Sequence, residues 1–230
     1  MRNSAGQALV LFDIDGTLLD TRGAGRRSFA RAIQRLFGGN DDLADIRFAG
    51  ATDLDLFERV ARRKGHEPDA QLTESFFALL PGLLREEFAR ESPHIFPGVR
   101  ETLRALDELP GLTLGLVTGN IESCAWVKLE ACGIHAHFEL GAFGHEHADR
   151  REIARLARRR AERHGSFARC ALIGDTPSDI TAAHAIDAVS IAVATGGYSP
   201  AELRDAGAHH VLESLSDVSA VTALVWPSAR

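Results

Sequence analysis

The chain has 230 residues, enough to bury a full core as one large domain or as a core with an insertion. Its apolar and charged content, 45% and 25%, is that of a soluble globular protein and excludes a disordered chain. A net charge of −6 argues against a general nucleic-acid or membrane surface.

The first element is an apolar run, Leu9-Val10-Leu11-Phe12. It is too short for a globular helix and reads as a strand buried on both faces. It ends in Asp13-Ile14-Asp15-Gly16-Thr17. In an extended chain residues two apart share a side, so Asp13 and Asp15 can face one crevice. Two carboxylates that close repel unless a cation lies between them or one keeps a proton. Gly16 allows a tight exit, and Thr17 offers a hydroxyl and a backbone N–H to an anion. The plain alternative is an Asx-type turn closing the strand.

A helical block follows, over residues 21–93. Ser28 is placed as the cap of a helix whose apolar face is Phe29, Ile33, Leu36 and Phe37. Thr52 or Asp53 can cap the next helix, from Leu54 to about Lys64. Residues 70–90 are helical in pattern, and Pro81-Gly82 is expected to break or kink them. The block contains no strand candidate.

Strands and helices alternate from there on. A helix over 99–109 leads to a strand over 112–117, which ends in Thr118-Gly119-Asn120. A helix carrying Ile121, Ala125, Leu129 and Cys132 on one face follows, then a short strand at 138–143. An Arg-rich amphipathic helix over about 150–164 precedes the strand Cys170-Ala171-Leu172-Ile173, which runs into Gly174-Asp175-Thr176-Pro177-Ser178-Asp179. A helix (180–186), a strand (189–194), a helix opened by Ser199-Pro200, a strand (209–212) and a C-terminal helix complete the chain. This alternation implies an α/β fold, a Rossmann-like, mainly parallel sheet. In such sheets ligands bind beyond the carboxyl ends of the strands. Asp13/Asp15, Thr118/Asn120 and Asp175/Asp179 all lie at such ends and point to one convergent site.

The four segments Asp13-Ile14-Asp15-Gly16-Thr17, Thr118-Gly119-Asn120, a basic residue near Arg150, and Gly174-Asp175-Thr176-Pro177-Ser178-Asp179 resemble the haloacid dehalogenase superfamily of phosphohydrolases. Pro97-Gly98-Val99 and Thr195-Gly196-Gly197 resemble its phosphoglycolate phosphatase-like members. The resemblance covers nearly the whole chain. It implies a core domain at 1–20 and 94–230 and an α-helical cap domain at 21–93. It also implies an Mg²⁺-dependent phosphatase acting through an aspartyl-phosphate. Asp13 would be the nucleophile and Asp15 the acid/base. Mg²⁺ would be held by Asp13, Asp175 and the backbone carbonyl of Asp15, with Asp179 in support. Thr118, with the N–H groups of Gly119 and Asn120, would bind the phosphoryl oxygens beside Gly16 and Thr17. By sequence alone Thr118 reads as a simple N-cap, a reading that only its place at a strand end reverses, while for Asp179 a helix N-cap and metal support can both hold.

A departure concerns the expected lysine ahead of the helix at 150, which is absent. A cation is needed to offset the nucleophile and the phosphoryl charge. Arg150 is the first choice, Arg151 the second. Lys128, with Lys64 one of only two lysines, ranks below Arg150 because it lies about ten residues past Thr118, roughly 15 Å along a helix. His145 and His147, lacking a third ligand nearby, read as solvated. Arg26, Arg27 and the loop Gly50-Ala51-Thr52-Asp53 either face the site or serve as helix surface and cap. The three cysteines, Cys124, Cys132 and Cys170, show no paired spacing and read as small core residues of a reducing compartment.

The expected partner is a small phosphorylated metabolite, with no nucleic acid and no membrane, and the chain a monomer or homodimer. MRNSAGQ carries no leader pattern, so a cytoplasmic location is expected. A phosphomutase of the β-phosphoglucomutase type is the enzymatic alternative. A non-catalytic phospholigand-binding protein on the same fold is the other.

Overall fold

A computed structural model describes residues 7–226; the leader-free N-terminus expected for residues 1–6 lies outside them. The chain begins with β1 (Ala8–Phe12), every residue of which is buried. A two-residue strand, β2 (Leu19–Asp20), leads into three helices: α1 (Ala24–Phe37), α2 (Asp53–Arg63) and α3 (Ala70–Arg90). The strand β3 (His94–Ile95) returns antiparallel on β2, closing a small ribbon where the helical insert leaves and re-enters. There follow α4 (Val99–Asp107), β4 (Leu112–Val117), α5 (Glu122–Ala131), β5 (Leu140–Ala142) and α6 (Arg150–Glu162). The chain then runs through β6 (Arg169–Gly174), α7 (Pro177–His184), β7 (Val189–Val193), α8 (Pro200–Asp205), β8 (His210–Leu212) and α9 (Val218–Val225).

Six strands form one sheet in the order β5-β4-β1-β6-β7-β8, and every pairing is parallel. The order reverses at β1, which pairs with β4 on one side and β6 on the other. The three strands whose ends carry the polar clusters are therefore neighbours, at the switch point where such sheets take ligands. Alternation along β1 splits the core. Val10 and Phe12 pack with α4, α5 and α9, while Leu9 and Leu11 pack with the alanine-rich faces of α6 and α7. No helix among the described residues is long and apolar enough to cross a membrane.

The insert has its own apolar cluster, centred on Phe29, Phe57 and Phe76, with Phe57 and Phe76 stacked at 4.4 Å. That cluster continues onto Ile121, Cys124 and Val127, so α5 packs on the sheet with one stripe and on the insert with another.

Several local expectations are corrected. Ser28 does not cap a helix. Gly23, at φ 79°, turns the chain, and α1 starts at Ala24; Ser28 is buried within it, its hydroxyl donating to the Ala24 carbonyl at 2.8 Å. Pro81-Gly82 does not break α3, which is continuous from Ala70 to Arg90. A proline inside a helix costs about 3 kcal/mol, and here the buried Phe76, Leu80, Leu83 and Leu84 offset it. The polar residues at the N-terminus of α7 are also rearranged. Thr176 is the cap, and Asp179 completes a capping box.

Candidate active site

The site is a cavity of about 320 Å³ between the sheet's carboxyl edge and the insert. Its floor is made where β1, β4 and β6 end. Asp13 follows β1 directly, and its N–H donates to the Ile173 carbonyl of β6 at 2.9 Å. Its carboxylate is almost fully buried and meets the Arg150 Nη2 at 2.5 Å. The same Nη2 lies 2.9 Å from Asp179 Oδ1 and donates to the Val117 carbonyl at 3.3 Å. Asp149 caps α6 and so fixes where that helix starts. Arg150 consequently turns inward with 6% exposure, and Arg151 turns outward to pair with Asp149.

Asp13, Asp175 and Asp179 each bring a carboxylate oxygen to within 4.8 Å of the others. Burial pushes Asp13 up to about 7, with Asp179 and Asp15 adding to the rise and Arg150 opposing it. Burial pushes Asp175 up to about 8, with Asp179 and Asp13 adding to it. These shifts are the electrostatic cost of three buried acids with one guanidinium among them. A hard cation with oxygen ligands fits that donor set. Glycines leave the room: a Cβ at Gly196 would stand 1.7 Å from an Asp175 oxygen, and one at Gly16 2.4 Å from it.

Asp15 takes a different cation. Lys128 Nζ donates to its two oxygens at 2.8 and 2.6 Å and to Asn120 Oδ1 at 2.5 Å. Asn120 Nδ2 donates to Asp15 Oδ2 at 2.7 Å and to Thr118 Oγ1 at 2.8 Å. Burial pulls Lys128 down, but Asp15 and Asp53 outweigh it and hold its pKa above the ordinary lysine value. Arg150 thus lies against Asp13 and Lys128 against Asp15, and distance counted along a helix from Thr118 misjudges how far Lys128 reaches. Lys128, in the second turn of α5, is the residue of that helix that lines the cavity. A signal was present. Ile121, Cys124, Ala125, Lys128 and Cys132 fall on one helical stripe, and a lysine on a buried stripe requires a buried anion.

Thr17 does not offer free groups to an anion. Its hydroxyl donates to Asp175 Oδ1 at 3.3 Å and its N–H to the Ile14 carbonyl at 3.3 Å, because the turn after Asp15 closes on itself. Gly16, at φ 82°, donates its N–H to the Leu19 carbonyl at 3.0 Å. The Asn120 N–H likewise goes to Thr118 Oγ1, at 3.3 Å. The cavity lining includes Gly16, Thr118, Gly119 and Asn120.

The loop over residues 50–53 both caps a helix and faces the cavity. Thr52 accepts from the Asp55 N–H as the cap of α2. The Asp53 N–H donates to the Gly119 carbonyl at 2.7 Å, and Asp53 Oδ2 accepts from the Ile121 N–H at 2.8 Å. Burial pushes Asp53 up to about 6, against the pull of Lys128. Arg26 lines the cavity with its guanidinium 4.4 Å from the Phe48 ring, while Arg27 turns away to Glu87. His145 and His147 accept backbone N–H groups of Glu122 and Asp149, and neither belongs to the acidic cluster.

A family model described as haloacid dehalogenase-like hydrolase matches residues 8–187. The chain belongs to this family. A probable phosphatase, IndB, of Dickeya dadantii is 28% identical over 214 residues, covering 91% of each chain. A phosphoglycolate phosphatase of Agrobacterium fabrum is 30% identical over 195 residues, covering 83% of this chain and 82% of its own. The fold is shared with a hydrolase from Pseudomonas syringae at a TM-score of 0.72, 20% identity, and coverage of 95% and 99%. The chain is a hydrolase, and these two relatives are named as a probable phosphatase and a phosphoglycolate phosphatase.

Proposed function

We propose that the protein is an Mg²⁺-dependent phosphatase of a small, phosphoglycolate-like phosphate monoester, acting through an aspartyl-phosphate. The observation that carries this reading is the division of charge at the β1 end. Asp13 sits with Arg150 among two further buried carboxylates, and Asp15 sits two residues on with a cation of its own.

Asp13, Asp175 and the Asp15 carbonyl would hold the metal, with Asp179 behind them, and the metal would neutralise charge on the transferring phosphoryl group. Asp13 Oδ attacks phosphorus; the bond to the leaving oxygen breaks, and that oxygen takes a proton from Asp15. Water then attacks the phosphorus of the aspartyl-phosphate and gives its proton to Asp15. Phosphate leaves, and the Asp13 carboxylate is restored. Thr118 has both acceptor sites engaged by Asn120, which leaves its hydroxyl hydrogen to donate to a phosphoryl oxygen. Arg150 compensates the charge that accumulates at Asp13.

Residues 21–93 serve as the cap that closes the cavity from water. The phosphoglycolate-like assignment is supported by the Agrobacterium relative and by Arg26, a cation in the wall that suits an acidic leaving group. Hydrolysis of p-nitrophenyl phosphate should require Mg²⁺ and should vanish in Asp13→Asn. A phosphate-release screen over phosphoglycolate, sugar phosphates, nucleotides and phosphoserine should favour small acidic monoesters. No turnover of any monoester would refute the phosphatase reading.

A further inference from the structure

Lys128 is a buried cation with no part in holding the metal or Asp13. It is 4% exposed, and its ammonium directs hydrogen bonds to both oxygens of Asp15 and to Asn120. An ammonium has three donors and no acceptor, so these contacts use its capacity. Asn120 closes the arrangement by donating to Asp15 Oδ2. The Asp15 side chain is 40% exposed, open to the cavity, and its carboxylate would otherwise turn freely about its last torsion. On the insert side stands Asp53, anchored on the Ile121 N–H. Lys128 thus lies between a carboxylate of the sheet and one of the insert.

Two other roles compete. A buried ion pair kept only for stability is weak design, since apolar replacements are often neutral. Direct binding of substrate by Lys128 would require donors that Asp15 and Asn120 already occupy.

We propose that Lys128 is the positioning residue for Asp15, holding both carboxylate oxygens against Asn120 so that the acid/base keeps one orientation, with Asp53 tying this clamp to the closed insert. This rests on the phosphatase reading.

The test is pre-steady-state and steady-state hydrolysis of p-nitrophenyl phosphate with Mg²⁺ by the full chain, as wild type, Lys128→Met, Lys128→Arg, Asp15→Asn and Asp15→Asn/Lys128→Met. A catalytic group displaced by about 1 Å loses about 10²-fold, so Lys128→Met should lower kcat by about that factor with little change in KM. Because dephosphorylation needs Asp15 as base, the variant should also release a burst of nitrophenolate before its slow steady state. Lys128→Arg should recover much of the rate. In the Asp15→Asn background Lys128→Met should change nothing further, since it acts through Asp15. Burst and steady rate falling together would mean a structural role. An effect that persists without Asp15, or that falls on KM, would mean substrate contact. Either result overturns the assignment. If Lys128→Met does not fold, Lys128→Met/Asp53→Asn removes the second carboxylate and is held to the same outcomes. A wild type without Mg²⁺-dependent turnover is a separate result and overturns the phosphatase reading together with the clamp.

Discussion

Arg150→Met isolates the charge arrangement around Asp13. The guanidinium lies 2.5 Å from Asp13 and 2.9 Å from Asp179, and none of the three side chains is more than 6% exposed. Removing one partner of a buried ion pair costs about 3–5 kcal/mol, because the charge left behind is unpaired. For a chain of this size each kcal/mol moves Tm by about 2–4 °C, so the variant should melt roughly 6–20 °C below wild type without metal. The loss should depend on pH. Asp13 and Asp175 stand at about 7 and about 8 against an ordinary 3.8, with burial the first cause of both shifts. A carboxyl raised in the folded state holds its proton more tightly there than in the unfolded chain. The stability it contributes is present in full below about pH 4 and is lost as pH rises through 7 and 8. Without Arg150 the ionised forms become costlier still. The gap between variant and wild type should therefore be small near pH 5 and fully open above pH 8. Saturating Mg²⁺ should narrow it, because the variant, with one positive charge fewer among its three acids, should bind the cation more tightly than wild type and so gain more stability from it. Differential scanning fluorimetry at about pH 5, 7 and 8.5, with and without MgCl₂, reads all of this. A gap that is constant across pH, or absent, would refute the view that Arg150 neutralises these acids.

Two further predictions concern the insert. In Gly119→Ala the new Cβ would meet the Ala51 carbonyl oxygen at 2.1 Å, so the loop over 50–53 must lift and the Asp53–Gly119 hydrogen bond must break. Its kcat/KM should fall about tenfold or more, and hydrogen exchange should rise across residues 50–56; normal exchange with normal activity would refute the docking role. Phe76→Ala empties the centre of the insert's cluster, where Phe76 stands 4.4 Å from Phe57 and 4.7 Å from Phe29. It should cost about 3–5 kcal/mol by denaturant unfolding, and a loss under about 1 kcal/mol would mean that the insert does not depend on this core.

The sequence made the sheet and the carboxylates legible for one reason. Each polar cluster ends a short apolar run, and a parallel sheet brings such ends together whatever the connections between them. Asp13, Asp175 and Asp179 converge because β1 and β6 are paired neighbours. What local pattern could not supply was the direction of a chain after a turn. Lys128 stood roughly 15 Å from Thr118 only along a straight helix path. Side chains on a helix lean toward its N-terminus, and the long Lys128 side chain so reaches back to the Asn120 amide oxygen at 2.5 Å. Ser28 and Pro81 misled for a related reason: local preference places a cap and a break, while packing of Phe29, Phe76 and Leu80 decides where α1 and α3 run. Turn chemistry also redirected groups that spacing alone assigned to the ligand, since the hydrogen bonds of Thr17 close the turn and hold Asp175. The readable part of the site is thus what strand ends impose, and the unread part is what helices laid across those ends contribute. Arg150 and Lys128 arrive from two different helices, α6 and α5, to opposite carboxylates of one motif. Separate cations let the sheet present Asp13 and Asp15, two residues apart, to two different tasks.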